Sequence, residues 1–359
     1  MYDAIAIGAL NVDYIMTAQR TKALGAQLPS DITGKFESGK ETPVSADQIQ
    51  YVLSRADLSS FDVFLGGSAF NTIHAVAATT TGFRLGFVGV AGNTGVYGLD
   101  FCDTLERLGV DSRYVLKASS SSSGVCVSFM REGQRALITN PGANSQVGDH
   151  LMNNYHELTE YLAQARVIHV TPFFDEKTPA ILVSLLTEAK RQNPTIRISI
   201  DPGHHWVTNQ TDDVYEILKL ADFLFLNEFE FMQLAKRGIG LSDNELAERV
   251  LRLCNPGSPV VLLKTAGGIK CFDRKGERLR VACYSNVSLH ADSISDDTGA
   301  GDVFAGGFLT AVLSDGMKIS DGVSLGLRLV NAKLLSAGSR AFISFPEIFT
   351  ELIREIGHG

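Results

Sequence analysis

Asp297-Thr298-Gly299-Ala300-Gly301-Asp302, followed without a break by Val303-Phe304-Ala305-Gly306-Gly307-Phe308-Leu309-Thr310-Ala311-Val312-Leu313, is the stretch that decides how this chain is read. Small residues lead into a long apolar helix pattern, and one acid stands at the junction. The first amides of a helix lack intrahelical partners and face outward at the positive end of the helix dipole. Such an end is an anion site, and Gly299 and Gly301 put no Cβ between the backbone and the anion. A carboxylate at Asp302 opposes simple phosphate binding. It fits an attacking hydroxyl, whose proton it removes as a phosphoryl group is transferred. The plainer alternative is a capped helix with an ordinary first-turn acid.

Around this junction, short β-branched runs alternate with amphipathic segments of helix length. The pattern predicts strands at 3–9, 84–90, 124–130, 166–171, 196–201, 222–226, 259–264 and 269–273. It predicts helices at 69–81, 95–108, 148–164, 176–192, 228–238, 242–254, 301–314, 318–337 and 346–356. This alternation makes an α/β fold, a mainly parallel central sheet with helices on both faces. Ligands then bind beyond the carboxyl ends of the strands. The 359 residues suit one large α/β domain over 1–359, although the length also admits two. Residues 14–64 and 111–140 break the alternation. The first is polar with a helix near 45–56, and the second reads as short strands between turns. Both are expected as insertions that pair into a small β lid over the site. The serine run Ser119 to Ser123 reads as a loop or strand edge.

Composition narrows the classes. A net charge of -8 argues against a nucleic-acid surface. The five cysteines are scattered, odd in number and in no metal spacing, which fits reduced thiols. The N-terminus carries no export pattern and no run suits a bilayer span. A cytoplasmic protein with no membrane partner is the expectation.

Three further clusters stand at predicted strand ends. In Gly8-Ala9-Leu10-Asn11-Val12-Asp13, Asp13 can accept two hydroxyl protons, and Asn11 can donate and accept; a polar turn is the alternative. In Gly66-Gly67-Ser68-Ala69-Phe70-Asn71, the glycines bring bare backbone to a ligand and Asn71 lies one turn into a helix. In Asn227-Glu228-Phe229-Glu230, Asn227 can meet a phosphate and Glu230 can hold waters around Mg²⁺. The alternative there is an acid-rich helix start, which the dipole favours anyway.

Other patterns are set aside. Val88 to Gly98 spaces its glycines differently from a dinucleotide fingerprint, which argues against a nicotinamide dehydrogenase. Gly34-Lys35-Phe36-Glu37-Ser38-Gly39-Lys40-Glu41 misses the hydroxyl residue of a P-loop and follows no apolar strand. His204-His205 are adjacent with no third ligand near and read as loop histidines.

Taken together, the clusters resemble the ribokinase-like (PfkB) kinases in order and spacing, from Gly8 to about Asn331. The resemblance implies a ribokinase-like fold, with Asp302 as the catalytic base and Gly299, Ala300 and Gly301 as the anion hole. It places Asp13, Gly67 and Asn71 on the phosphate acceptor, with Asn11 and Gly66 beside them and Asn144 of Pro141-Gly142-Ala143-Asn144 on a substrate-side loop. It places Asn227, Lys264, Gly267 and Asn331 near the nucleotide and Glu230 on Mg²⁺ through water. Asp296 matches a position that helps bind a monovalent cation, such as K⁺, in some members. The departures are Ile73 where a small residue is usual, shifted glycines in Lys264-Thr265-Ala266-Gly267-Gly268-Ile269, and no acid at Thr171-Pro172.

The implied reaction moves the γ-phosphoryl group of ATP to a primary hydroxyl of a sugar or sugar-like acceptor. Pro-Gly-Ala-Asn and Asp201-Pro202 look like sugar kinases. The long first insertion followed by Gly-Gly-Ser looks like adenosine kinases, so a nucleoside acceptor is the alternative. A non-catalytic ligand sensor of the same fold is a third reading, which the intact Gly-Ala-Gly-Asp disfavours. A homodimer through the lid is a further expectation.

Overall fold

The computed structural model describes residues 1–16, 41–55, 59, 61–131, 134–236, 241–286, 289–290 and 293–357. The strands are β1 (Tyr2–Ile7), β2 (Asn11–Ile15), β3 (Glu41–Pro43), β4 (Asp62–Gly66), β5 (Leu85–Asn93), β6 (Val110–Ser122) and β7 (Gly124–Arg131). They continue as β8 (Gln134–Asn140), β9 (Ala165–Val170), β10 (Arg197–Ile200), β11 (Phe223–Asn227), β12 (Val260–Thr265), β13 (Gly268–Lys275) and β14 (Arg278–Ser285). Nine form one sheet in the order β14-β13-β12-β11-β10-β9-β1-β5-β6. From β6 across to β12 every pairing is parallel, and β13 and β14 close the far edge as antiparallel hairpins.

β1 shows why its sequence sits centrally. A parallel strand covered on both faces reads as a continuous apolar run. Ile5 and Ile7 pack into the core on one face, and Ala4 and Ala6 into the core on the other. The chain is thus the α/β fold expected, with the carboxyl ends of β1, β10, β11 and β12 at one edge.

Five strands make a second sheet, β3-β8-β7-β2-β4. Its pairings set Asp13 beside Phe64 and Cys126, and Tyr14 beside Val63 and Val127. Side chains alternate between faces along a strand, so these two rows lie on opposite faces. The Tyr14 row packs with Ile49 and Val52 of the helix Ala46–Arg55 in a small apolar core. Asp13 and Phe64 of the other row line a small cleft together with Thr298 and Gly299. The second expected insertion is narrower than 111–140: β6 pairs with β5 in the large sheet, and only β7 and β8 join the smaller one. Ser119 to Ser122 end β6.

Several helices differ from their predicted spans. Gly95 and Gly98 have positive φ, 66° and 80°, so the helix predicted from 95 begins only at Phe101, where Asp100 accepts from the Asp103 N–H. The helix predicted over 148–164 splits at Asn154 into Val147–Asn153 and Tyr155–Leu162. His204 and His205 lie on a short helix, Gly203–Thr208, and not on a loop; His204 stacks on Phe229. Apart from Glu41, the P-loop-like stretch lies outside the described residues.

Three helices position the site. Ala300–Leu313 lies between Ser68–Thr79 and Ile319–Leu334. A Cβ at Gly306 would come within 2.7 Å of Ala75 Cβ, and one at Gly307 within 2.8 Å of Gly326 Cα. The small residues let backbones approach, and this closeness brings Asn71 onto Asp302.

Candidate active site

Gly299 caps Ala300–Leu313 in the left-handed region, at φ 76°. Asp302 sits in the first turn and is partly exposed. Asn71 Nδ2 donates to its Oδ2 at 3.0 Å, and Thr72 Oγ1 donates to its backbone oxygen at 3.2 Å. The carboxylate is therefore oriented by a neighbouring helix. A Cβ at Gly299 would stand 3.3 Å from Asn71 Nδ2 and 3.6 Å from Asp302 Oδ2. Ala300 differs from its expected part in the anion hole, because its N–H closes a turn onto the Asp297 oxygen at 3.2 Å. Asp13, Phe64, Asn71, Gly299 and Phe342 line one cleft between the smaller sheet and this helix start.

The residues expected around the acceptor divide. Asp13 is buried, and Gly66 makes room for it: a Cβ there would fall 2.0 Å from Asp13 Oδ2. Gly67, at φ 108°, lies against the Ala9 oxygen. Asn144 is corrected from ligand contact to support. It is 4% exposed, its Oδ1 accepts from the Leu10 N–H, and its Nδ2 serves Leu10 O, Asn11 Oδ1 and Pro141 O. Its amide fastens the turn from β1 into β2 and orients Asn11.

Of the residues expected near the nucleotide, Asn227 and Glu230 form a capping box. Asn227 Oδ1 accepts from the Glu230 N–H at 2.9 Å, and Glu230 Oε2 accepts from the Asn227 N–H at 2.8 Å. One oxygen of each is thereby occupied, which limits what either offers a ligand. Lys264 ends in a salt bridge to Asp201 at 2.8 Å, and its Nζ lies 3.0 Å from where a Gly301 Cβ would be. Burial opposes the Lys264 charge, yet Asp201, Glu230 and Asp302 raise its pKa above the ordinary value. Burial, then the Asp201 charge, push Glu230 up to about 7. Asp201 is the residue that sequence reasoning left out of the site. Its signal was its place at a strand end, straight before Pro202 and Gly203.

The shifted glycines have a structural account. Thr265 pairs with Gly268, so Ala266 and Gly267 form a two-residue hairpin turn. Gly267 has open space around it, whereas a Cβ at Gly268, φ 136°, would strike the Tyr284 oxygen at 2.0 Å. The glycine that this turn needs is Gly268. Asn331 lies on Ile319–Leu334, and its buried Oδ1 has no partner. Asp296 does not stand open to a cation: Lys333 Nζ lies 2.8 Å from its Oδ2, and both side chains are 3% exposed. Among the described residues, no three His, Cys, Asp or Glu side chains form a group suited to hold a metal.

Residues 44–344 match the family described as pfkB family carbohydrate kinase. This chain belongs to that family. The pfkB-family chain is 25% identical over 280 residues to a 5-dehydro-2-deoxygluconokinase of Photobacterium profundum, covering 76% of this chain and 80% of the relative. It is 26% identical over 276 residues to an adenosine kinase of Schizosaccharomyces pombe, covering 73% and 76%. A solved adenosine kinase from Sinorhizobium meliloti superposes with a TM-score of 0.77 at 18% identity, covering 98% and 99%, which shows the ribokinase-like fold. The pfkB-family chain is a kinase acting on an alcohol group of a small molecule, of the sugar or nucleoside type. None of its described helices is long and apolar enough to cross a membrane.

Proposed function

We propose that this kinase moves the γ-phosphoryl group of ATP to a primary hydroxyl of a sugar or sugar-like acceptor, with Asp302 as the base. The observation that carries the reading is the Asp302 carboxylate, held at 3.0 Å by Asn71 close to the left-handed Gly299, both of which line the cleft that contains Asp13. Asp13 accepts hydroxyl protons from the acceptor, and Asn11, oriented by Asn144, fixes its pose. Asp302 removes the proton of the attacking hydroxyl. The N–H groups of Gly299 and Gly301 donate to the transferring group. Lys264 keeps its charge at that end, where developing negative charge is stabilised.

The residues present suit magnesium and the nucleotide. Asp201, Glu230 and Asp302 surround a single ammonium, so a further cation is electrostatically welcome there. Glu230 would hold Mg²⁺ through water, and the metal would offset charge on the phosphates. The partnerless Oδ1 of Asn331 suits a donor on the nucleotide.

A nucleoside is the second reading, favoured by the partly exposed Phe64 on the same cleft, since an aromatic ring takes a base by stacking. ATP turnover against a panel of sugars, sugar acids and nucleosides separates the two. Asp302→Asn is expected to fold and lose about two or more decades of turnover; a near-native rate overturns the base assignment. The sensor reading would survive only if no acceptor on the panel supported turnover. One face of the smaller sheet is packed by the chain's own helix Ala46–Arg55, so a homodimer through the lid would use the sheet's edges or its other face. Sedimentation reads the oligomeric state directly.

A further inference from the structure

The resemblance to cation-dependent kinases puts a monovalent cation at Asp296, and the residues there do not fit one. Lys333 Nζ donates to Asp296 Oδ2 at 2.8 Å, to the Asp296 backbone oxygen at 3.1 Å and to the Ser336 backbone oxygen at 3.3 Å. An ammonium has three donors, and here each has an oxygen. A carboxylate and two carbonyls are the hard oxygen ligands that a dehydrated alkali cation would take. A free cation beside them would also stand against a like charge in a buried place, which is costly.

The pair is built into the approach to the active site. Asp296 Oδ1 accepts from the Thr298 N–H at 2.8 Å, one residue before Gly299. Asp296 Oδ2 also accepts from the Gly338 N–H at 3.0 Å. Gly338 packs on Phe64 of the smaller sheet so closely that a Cβ would lie 2.5 Å from the ring. Burial works against the Asp296 charge, but the Lys333 ammonium and these N–H groups hold its carboxyl below the usual carboxylate range.

We propose that Lys333 is a tethered cation: a positioning residue that holds the Asp296-to-Gly299 loop against the Ser336-to-Gly338 segment and frees this kinase from any need for a monovalent cation. The proposal deepens the kinase reading above and rests on it for its activity arm.

The test compares buffers whose only monovalent cation is K⁺, NH₄⁺ or tetramethylammonium, which is too large for the pocket. Wild-type kcat and KM are expected to agree within about twofold across the three, and its melting temperature to be unaffected by the exchange at equal ionic strength. Lys333→Ala is expected to lose about a hundredfold in kcat in tetramethylammonium, the scale of a misplaced reactive group. K⁺ or NH₄⁺ should restore part of that loss and raise the variant's melting temperature. Wild-type activation of more than about fivefold by K⁺, or a K⁺-dependent rise in its melting temperature, overturns the proposal. So does a Lys333→Ala protein that is fully active in tetramethylammonium. Should Lys333→Ala not fold, the two wild-type readouts decide. The melting arm needs no turnover, so failure of the kinase reading is seen separately, in the acceptor panel.

Discussion

At the scale of single residues, the site turns on polar atoms whose partners come from far away in sequence. Asn71 and Asp302 are 231 positions apart and meet at 3.0 Å. Asn144 illustrates how a local motif misleads. Pro-Gly-Ala-Asn looks like a loop offering an amide to a ligand, but the amide turns inward to Leu10 and Asn11. Asn144→Ala leaves the Leu10 N–H and O without those partners in a buried turn. A loss of about 1–3 kcal/mol is expected, measured by urea unfolding. KM for the acceptor should rise as Asn11 loses its orientation; unchanged stability and KM would return Asn144 to a peripheral place. Asp302 was legible because its neighbours are sequential. Lys333 was not, since one lysine late in an amphipathic helix is ordinarily a solvated charge, and only burial beside Asp296 gives it meaning.

At the scale of elements, helix crossings set the geometry. Ala300–Leu313 is apolar nearly all round because it is buried between two other helices, as such a pattern requires. Gly307 lies where a Cβ would come 2.8 Å from Gly326 Cα and 2.9 Å from its nitrogen. Gly307→Ala must push the helices apart, and a destabilisation of about 1–3 kcal/mol is expected from overpacking. Because Ala300–Leu313 also carries Asp302, turnover should fall more than stability alone accounts for. Thermal unfolding and initial rates below the transition check both; a stability equal to wild type would mean the crossing is looser than drawn. The long periodic helices and the parallel strands were readable from pattern alone. The break at Asn154 was not, since both halves keep one amphipathic face, and β6 was placed in the wrong sheet because strand propensity does not say which edge a strand joins.

At the scale of the whole molecule, two histidines, His169 buried and His74 half-buried, couple folding to pH. His169 is 1% exposed, with Nδ1 at 2.9 Å from Ser199 Oγ, and the charges of Asp201 and Lys264 act on it. His74 packs between Phe70 and Phe342, with Arg107 acting on it. Burial lowers both to about 4 from an ordinary 6.5. The unfolded chain therefore binds these protons first. Their contribution is complete above 6.5 and is lost as pH falls toward about 4. By pH 5 each removes on the order of 2 kcal/mol of stability. Urea unfolding at pH 7 and pH 5 should show the drop, and His74→Phe should reduce it; an equal drop in that variant would refute the assignment to His74.

The sequence alone determined the class of fold and the acid at the head of Ala300–Leu313. Those follow from periodicity and from residues adjacent in the chain, where backbone geometry leaves little choice. Tertiary structure decided which of the flagged polar groups face the cleft and which are fastened inward, and it brought Asp201 to Lys264 and Lys333 to Asp296. Such pairings depend on how helices and sheet edges close on one another, and a charge in low dielectric is defined by the neighbour that packing supplies.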